Sequence, residues 1–173
     1  SDVYKRQQKL YQNVLQAFPK NGRAQKALDD LRQHHVPTAT QNPPQELIHR
    51  LLGHYQNGRF SDAEKLAVFM TQEFPRHQFA WKVLGALFGA TGRKYEAADA
   101  NQTAVALSPQ DAAAHNNLGN TLQELGRLDD AEASYNRAIA LKPDFAEAHS
   151  NLGNTLQELR RLDEAEASHN QAI

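Results

Sequence analysis

Residues 112–139 and 146–173 spell almost the same sequence. AAAHNNLGNTLQELGRLDDAEASYNRAI is followed 34 residues later by AEAHSNLGNTLQELRRLDEAEASHNQAI, identical at 22 of 28 positions by direct count. A period of this size marks one supersecondary unit that cannot bury its apolar face alone and stacks on copies of itself. This repeat limits the fold more than any other feature of the chain.

Laid back along the sequence, the period sets units at 44–77, 78–111, 112–145 and 146–173, the last one truncated. Ala63, Ala97, Ala131 and Ala165 recur in the second half of each unit, where a small side chain lets two helices approach closely. Pro75, Pro109 and Pro143 recur where a second helix must end. Gly58, Gly92 and Gly126 mark the tight turn within a unit, and Leu84-Gly85, Leu118-Gly119 and Leu152-Gly153 lie on one face of its first helix. Each unit therefore reads as a helix hairpin, and the chain as all-α.

Before Pro44 the pattern is weaker. Residues 1–7 show no apolar period. Leu10, Tyr11, Val14, Leu15 and Phe18 fall at helical spacing, Pro19 ends that helix, and Ala24, Ala27, Leu28 and Leu31 form a second stripe. Residues 1–33 are thus expected to hold a helical hairpin turning at Lys20-Asn21-Gly22. The stretch 34–43, rich in Pro, Thr and Asn, reads as a linker.

The repeating unit resembles the tetratricopeptide repeat (TPR) family. That pattern has an aromatic, Leu-Gly and a bulky residue in the first helix, then Ala, an aromatic, Ala and Pro in the second. Trp81, Leu84, Gly85, Phe88, Ala97, Ala104 and Pro109 follow it, as do Leu118, Gly119, Leu122, Ala131, Tyr135, Ala138 and Pro143. The fourth unit matches at Leu152, Gly153, Leu156, Ala165 and Ala172. The resemblance covers residues 44–173 and implies a right-handed α-solenoid. Its repeats look most like those of the TPR arm in bacterial O-GlcNAc transferase-like proteins. Departures from the pattern are Arg50-Leu51 for Leu-Gly, Met70 for Ala, His115 and His149 for the first aromatic, and Arg160 for the turn glycine. Arg160 strains its turn if the turn needs a positive φ. The 10–31 hairpin resembles the second helix of one TPR and the first of another.

Composition narrows the function. With 40% apolar and 23% charged residues the chain suits one packed body. A net charge of -1 and the absence of any Lys/Arg run argue against nucleic acid or an anionic membrane as partner. No window approaches the apolar length a membrane helix needs. The lack of cysteine removes disulfide and thiolate chemistry and is compatible with a cytoplasmic location. The chain does not begin with Met and its last unit stops before its turn, so it reads as a fragment.

Chemistry is sparse. Eight histidines raise a metal reading, but His49 and His54 are five apart, His34 and His35 are adjacent, and no HExxH is present. No phosphate loop, dinucleotide fingerprint or nucleophile elbow occurs. The sequence thus predicts no catalytic residue, metal or cofactor within this chain.

What remains is a row of amides. In the TPR family first helices line a concave face, and the resemblance carries the inward positions onto Gln45, Ile48, His49, Leu52 and Tyr55, then Phe79, Lys82, Val83 and Ala86, then Asn116, Asn117, Asn120, Gln123 and Glu124, then Glu147, Ser150, Asn151, Asn154, Gln157 and Glu158. Of these, Phe79, Lys82, Val83, Asn116, Asn117, Asn120, Glu147, Asn151 and Asn154 are expected to form the peptide-binding groove. Asn side chains offer donors and an acceptor, so such a row can pair with the backbone of an extended peptide. Asn117 and Asn151 resemble the asparagine ladder of protein O-GlcNAc transferases. The plainer reading is that these amides only bond water or neighbouring turns. Co-chaperone TPRs that grip acidic tails use Lys and Asn, then Asn, then Lys and Arg; here Ala86, Glu147 and Asn151 break that set. The sequence therefore implies a scaffold for protein or peptide segments. The alternative is the non-catalytic arm of a larger enzyme, such as an O-GlcNAc transferase-like glycosyltransferase, a sulfotransferase or a dioxygenase.

Overall fold

A computed structural model describes residues 42–172 without a break and, before them, residues 9, 10, 12, 16, 20–23, 25, 26, 28 and 29. Tyr11, Val14, Leu15, Phe18, Pro19, Ala24, Ala27 and Leu31 of the expected hairpin, and all of the expected linker except Asn42 and Pro43, lie outside the described residues. Of the stripe residues inside, Leu28 is buried and Leu10 is exposed.

From residue 45 the described chain is eight helices: α1 (Gln45–Gln56), α2 (Phe60–Glu73), α3 (Gln78–Ala90), α4 (Lys94–Leu107), α5 (Ala112–Glu124), α6 (Leu128–Leu141), α7 (Ala146–Glu158) and α8 (Leu162–Asn170). Each helix packs on the next in sequence. First helices also touch across units, α3 on α5 and α5 on α7, while second helices do not approach one another as closely. The stack therefore bends with α1, α3, α5 and α7 on its inner side, an α-solenoid.

The sequence explains where each helix stops. Proline bars the residue before it from helical dihedrals, and Phe74, Ser108 and Lys142 sit at φ -127°, -141° and -141°, just beyond α2, α4 and α6. First helices end differently. Gly58, Gly92 and Gly126 adopt φ of 69°, 75° and 73°. In each turn the amide of the next residue donates to a carbonyl five residues back, as Arg127 does to Leu122 at 2.9 Å. This is a Schellman closure, which needs a left-handed residue. Arg160 takes that position in the last unit with φ 60°, and Arg161 still donates to Leu156 at 2.9 Å.

Within a unit, a glycine of the first helix receives a large side chain of the second. A Cβ on Gly119 would stand 2.5 Å from Tyr135 Cε1, one on Gly153 would stand 2.5 Å from His169 Cε1, and Gly85 faces Asn101 in the same way. The first unit reverses the sizes. Leu51 replaces the glycine and Ala67 replaces the large partner, and both are fully buried in one cluster with Ala63 and Met70. Its departures from the repeat pattern are thus complementary to one another, and volume is conserved across the contact.

Arg59, Arg93, Arg127 and Arg161 precede the second helices and cap none of them by side-chain hydrogen bond. Three of these arginines bind a carboxylate three residues on, which also sets a negative charge in the first turn. Arg93 and Arg161 reach in addition to Glu64 and Glu132 of the preceding unit, at 2.6 and 2.5 Å.

Candidate functional site

The inner surface changes character between α3 and α5. On the first side, Val83 is buried, and Phe79 and Ile48 are half-buried against the apolar core. Trp81 lies on the same helix, half-buried, and its indole N–H donates to the Pro75 carbonyl at 3.1 Å. His115 and His149 stand one and two periods on, and their Nε2 atoms lie 3.1 and 2.9 Å from the carbonyls of Pro109 and Pro143. A carbonyl only accepts, so each imidazole carries its proton on Nε2. Both histidines thus hold the helix-exit carbonyl in place of an indole, which gives them a structural role.

Lys82 does not face the groove as a free cation. Its Nζ lies 2.8 Å from Asp111 Oδ2, which also accepts from Gln78 Nε2 at 2.9 Å. Asp111 in turn caps α5 by accepting from the Ala114 amide at 3.1 Å. Burial pushes the Asp111 carboxyl up, but the bonds from Lys82, Ala114 and Gln78 outweigh it and hold the group below the usual carboxylate range.

On the other side the amides are joined in one network between α5 and α7. Asn116, only 1% exposed, donates from Nδ2 to Glu147 Oε1 at 2.9 Å and accepts on Oδ1 from Asn151 Nδ2 at 3.1 Å. Asn151 Nδ2 also donates to Asn120 Oδ1 at 2.9 Å. The hydroxyl of Tyr135, a fully buried residue, lies 2.8 Å from that same Oδ1 and 3.1 Å from Gln123 Oε1. Gln123 Nε2 closes the chain on Glu158 Oε1 at 2.6 Å. Burial raises the Tyr135 pKa well above that of a free phenol, with Glu124, Glu147 and Glu158 adding to it, so the hydroxyl stays a donor.

The sequence-predicted residues therefore sort themselves by place. Asn116 lies inside the α5–α7 contact, Asn120 and Asn151 are half-buried within the network, and Glu147 anchors one end of it from an exposed position. The Asn117 side chain is half-buried and outside the network, although its carbonyl accepts from Asn101 and Thr121; Asn154 is exposed. Gln123 and Glu158, both expected on the inner face, are bonded to each other there. Sequence reasoning missed Tyr135 and Asp111 as parts of this surface; the available signal for Asp111 was its place just before a helix, where a carboxylate caps free amides. Two shallow clefts, about 440 Å³ beside Ser61, Glu64, Lys65 and Val68 and about 360 Å³ beside Glu132, Asn136, Leu152 and Glu164, contain none of the row. Among the described residues no group of three or more ligating side chains could hold a metal ion. No helix among them is long and apolar enough to cross a membrane.

These features define an α-solenoid of stacked helix hairpins whose inner face carries a polar row. Four family models match it: "Tetratricopeptide repeat" over residues 51–112, 100–133 and 146–173, and "TPR repeat" over 120–159. The chain belongs to the tetratricopeptide repeat family. No curated protein sequence matches it. Among solved structures, a crystal structure of MamA superposes with a TM-score of 0.69 at 24% identity, over 95% of this chain and 84% of that one. A mutant O-GlcNAc transferase from Thermobaculum terrenum gives 0.62 at 29% identity, over 71% of this chain but 26% of that one. The second TPR of Spaghetti (RPAP3), bound to the HSP90 peptide SRMEEVD, gives 0.54 at 20% identity, over 55% of this chain and 88% of that one.

Proposed function

We propose that this chain is a non-catalytic scaffold that holds an extended segment of a partner protein along its inner face, in the cytoplasm. The carrying observation is the two-part groove: apolar side chains of α1 and α3 lead into amides and carboxylates of α5 and α7. An extended segment would lay apolar side chains toward Phe79 and Val83 and its backbone along Asn117, Asn120, Asn151 and Asn154. Bonds to backbone give affinity without reading a particular side chain. The related RPAP3 repeat was solved with an acidic peptide, SRMEEVD. The present groove is unsuited to such a tail, because Lys82 is paired with Asp111 and Glu147 brings like charge.

The test is fluorescence anisotropy with two labelled peptides, SRMEEVD and the basic extended sequence Lys-Val-Ala-Val-Lys-Val. Saturable binding of the basic peptide, weakened by Asn117→Ala with Asn151→Ala, supports the reading. Capture of the acidic one, or binding indifferent to both substitutions, contradicts it. A second reading has its own support in the 29% identity with a bacterial O-GlcNAc transferase: these repeats serve as the non-catalytic arm of a larger enzyme of that kind. An α/β region encoded beyond Ile173 would favour the arm, and further repeats the scaffold.

A further inference from the structure

The polar network has a fixed sense. Glu147 and Glu158 stand at its two ends, and a carboxylate only accepts. Glu147 therefore turns the NH₂ of Asn116 toward itself and leaves Asn116 Oδ1 for Asn151, whose Nδ2 must donate. Glu158 likewise draws the NH₂ of Gln123 and leaves Gln123 Oε1 facing the phenol. Asn120 lies between these two arms. Its Oδ1 takes one proton from Asn151 and shares the single phenolic proton of Tyr135 with Gln123.

We infer that Tyr135 is the positioning residue of this groove: its buried hydroxyl locks Asn120 with its oxygen inward and so sets which end of each amide remains for a ligand. Asn120 keeps its NH₂ outside the network, and Asn151, with both Nδ2 protons used, keeps its Oδ1. One donor and one acceptor on adjacent units complement a single backbone peptide group, which offers one carbonyl and one N–H. The lock occurs once among the described units. Asn101 and His169 occupy the equivalent positions, and Asn101 turns its Nδ2 to Thr121 Oγ1 at 2.9 Å instead of to the groove. Gly119 leaves room for the ring, so the aromatic packs behind the groove while only its hydroxyl reaches forward.

This inference rests on the groove reading, and its test begins without any ligand. Side-chain amide exchange is measured by NMR on the full chain. Both Nδ2 protons of Asn151 are bonded and should exchange about tenfold or more slowly than those of exposed Asn154. Tyr135→Phe keeps the ring and removes the hydroxyl. Asn151 should then lose that protection by about tenfold while backbone exchange in α5 and α7 stays within about twofold. Unchanged Asn151 protection in Tyr135→Phe overturns the inference.

Asn120→Asp guards against a folding defect in the first variant, because it keeps an acceptor for Asn151 and Tyr135 and exchanges the outward donor for a charged oxygen. Asn151 should stay protected in it; lost protection overturns the lock. The Lys-Val-Ala-Val-Lys-Val peptide should bind Tyr135→Phe about tenfold more weakly than wild type. Equal peptide affinity overturns the positioning role. A peptide that fails to bind wild type at all removes the groove reading and the ligand-orienting role with it, whereas the exchange data still decide the lock.

Discussion

Arg160→Gly should stabilise the last unit. An L-residue in the left-handed region costs about 1–2 kcal/mol relative to its right-handed alternative, and Arg160 sits there at φ 60°. Glycine removes that strain but has more freedom to lose on folding, a loss of about 0.4–1 kcal/mol. The balance is a gain of about 0–1.6 kcal/mol, centred on about 0.8 kcal/mol. The Arg160 side chain is exposed, and the ion pairs of this turn belong to Arg161, which are retained. Position 126 supplies the control, since Gly126 closes the equivalent turn at φ 73°. Gly126→Arg should cost about what Arg160→Gly gains. Urea titration gives the free energies, and hydrogen exchange locates them in α7 and α8 for one variant and in α5 and α6 for the other. A neutral or destabilising Arg160→Gly beside a costly Gly126→Arg would refute the strain argument, because it would mean that Arg160 makes a compensating contact.

Other outcomes follow from the same contacts. Trp81→Ala should cost about 2–3 kcal/mol, below the range for fully buried aromatics because the ring is half-buried. Trp81→His should cost less than Trp81→Phe by about 1 kcal/mol in thermal or urea unfolding, since histidine alone keeps a donor for the Pro75 carbonyl. Asp111→Asn retains a good helix cap but loses the bond to Lys82. The Asp111 pKa is lowered on folding, so its stabilisation is present above the unfolded value of about 3.9 and fades as pH falls through the lower folded value. Wild type should therefore be the more stable at pH 7, and the gap should close as acid protonates Asp111; a gap unchanged by acid would count against the ion pair. Ala98 stands where Glu64 and Glu132 serve the neighbouring arginines, so Ala98→Glu should give Arg127 a cross-unit partner worth about 0.2–1 kcal/mol in a double-mutant cycle with Arg127→Ala. Helix α8 packs mainly on α7 and has no unit beyond it among the described residues, so its amides should exchange fastest among the eight helices; protection equal to α6 would contradict this.

The hairpins were legible because their signals are local. A proline ends a second helix through its own neighbour, and a glycine closes a first helix through five residues of backbone, so the 34-residue period exposes both. Even the strain at Arg160 could be anticipated from the glycines at its equivalents. The groove was less legible. The family resemblance places Asn116, Asn120 and Asn151 toward the inner side, but it cannot tell that α7 comes close enough to bury Asn116 or to occupy both protons of Asn151. That depends on how two helices of different units cross. Tyr135 matches the second-helix aromatic of the repeat pattern, which says nothing of its hydroxyl, and that hydroxyl acts across the contact. The pairing of Leu51 with Ala67 was hidden for a similar reason: each looks like a departure alone, and the compensation appears only when the two helices meet.

The central claim, that the inner face holds an extended segment, is tested most directly by titrating the isotope-labelled chain with the Lys-Val-Ala-Val-Lys-Val peptide and following every side-chain amide. Shifts that saturate together at Asn117, Asn120, Asn151 and Asn154, with transferred contacts from peptide valines to Phe79, are the predicted result. Shifts gathered on the second helices instead, along Glu64, Lys65 and Val68 or around Asn136, would contradict the account.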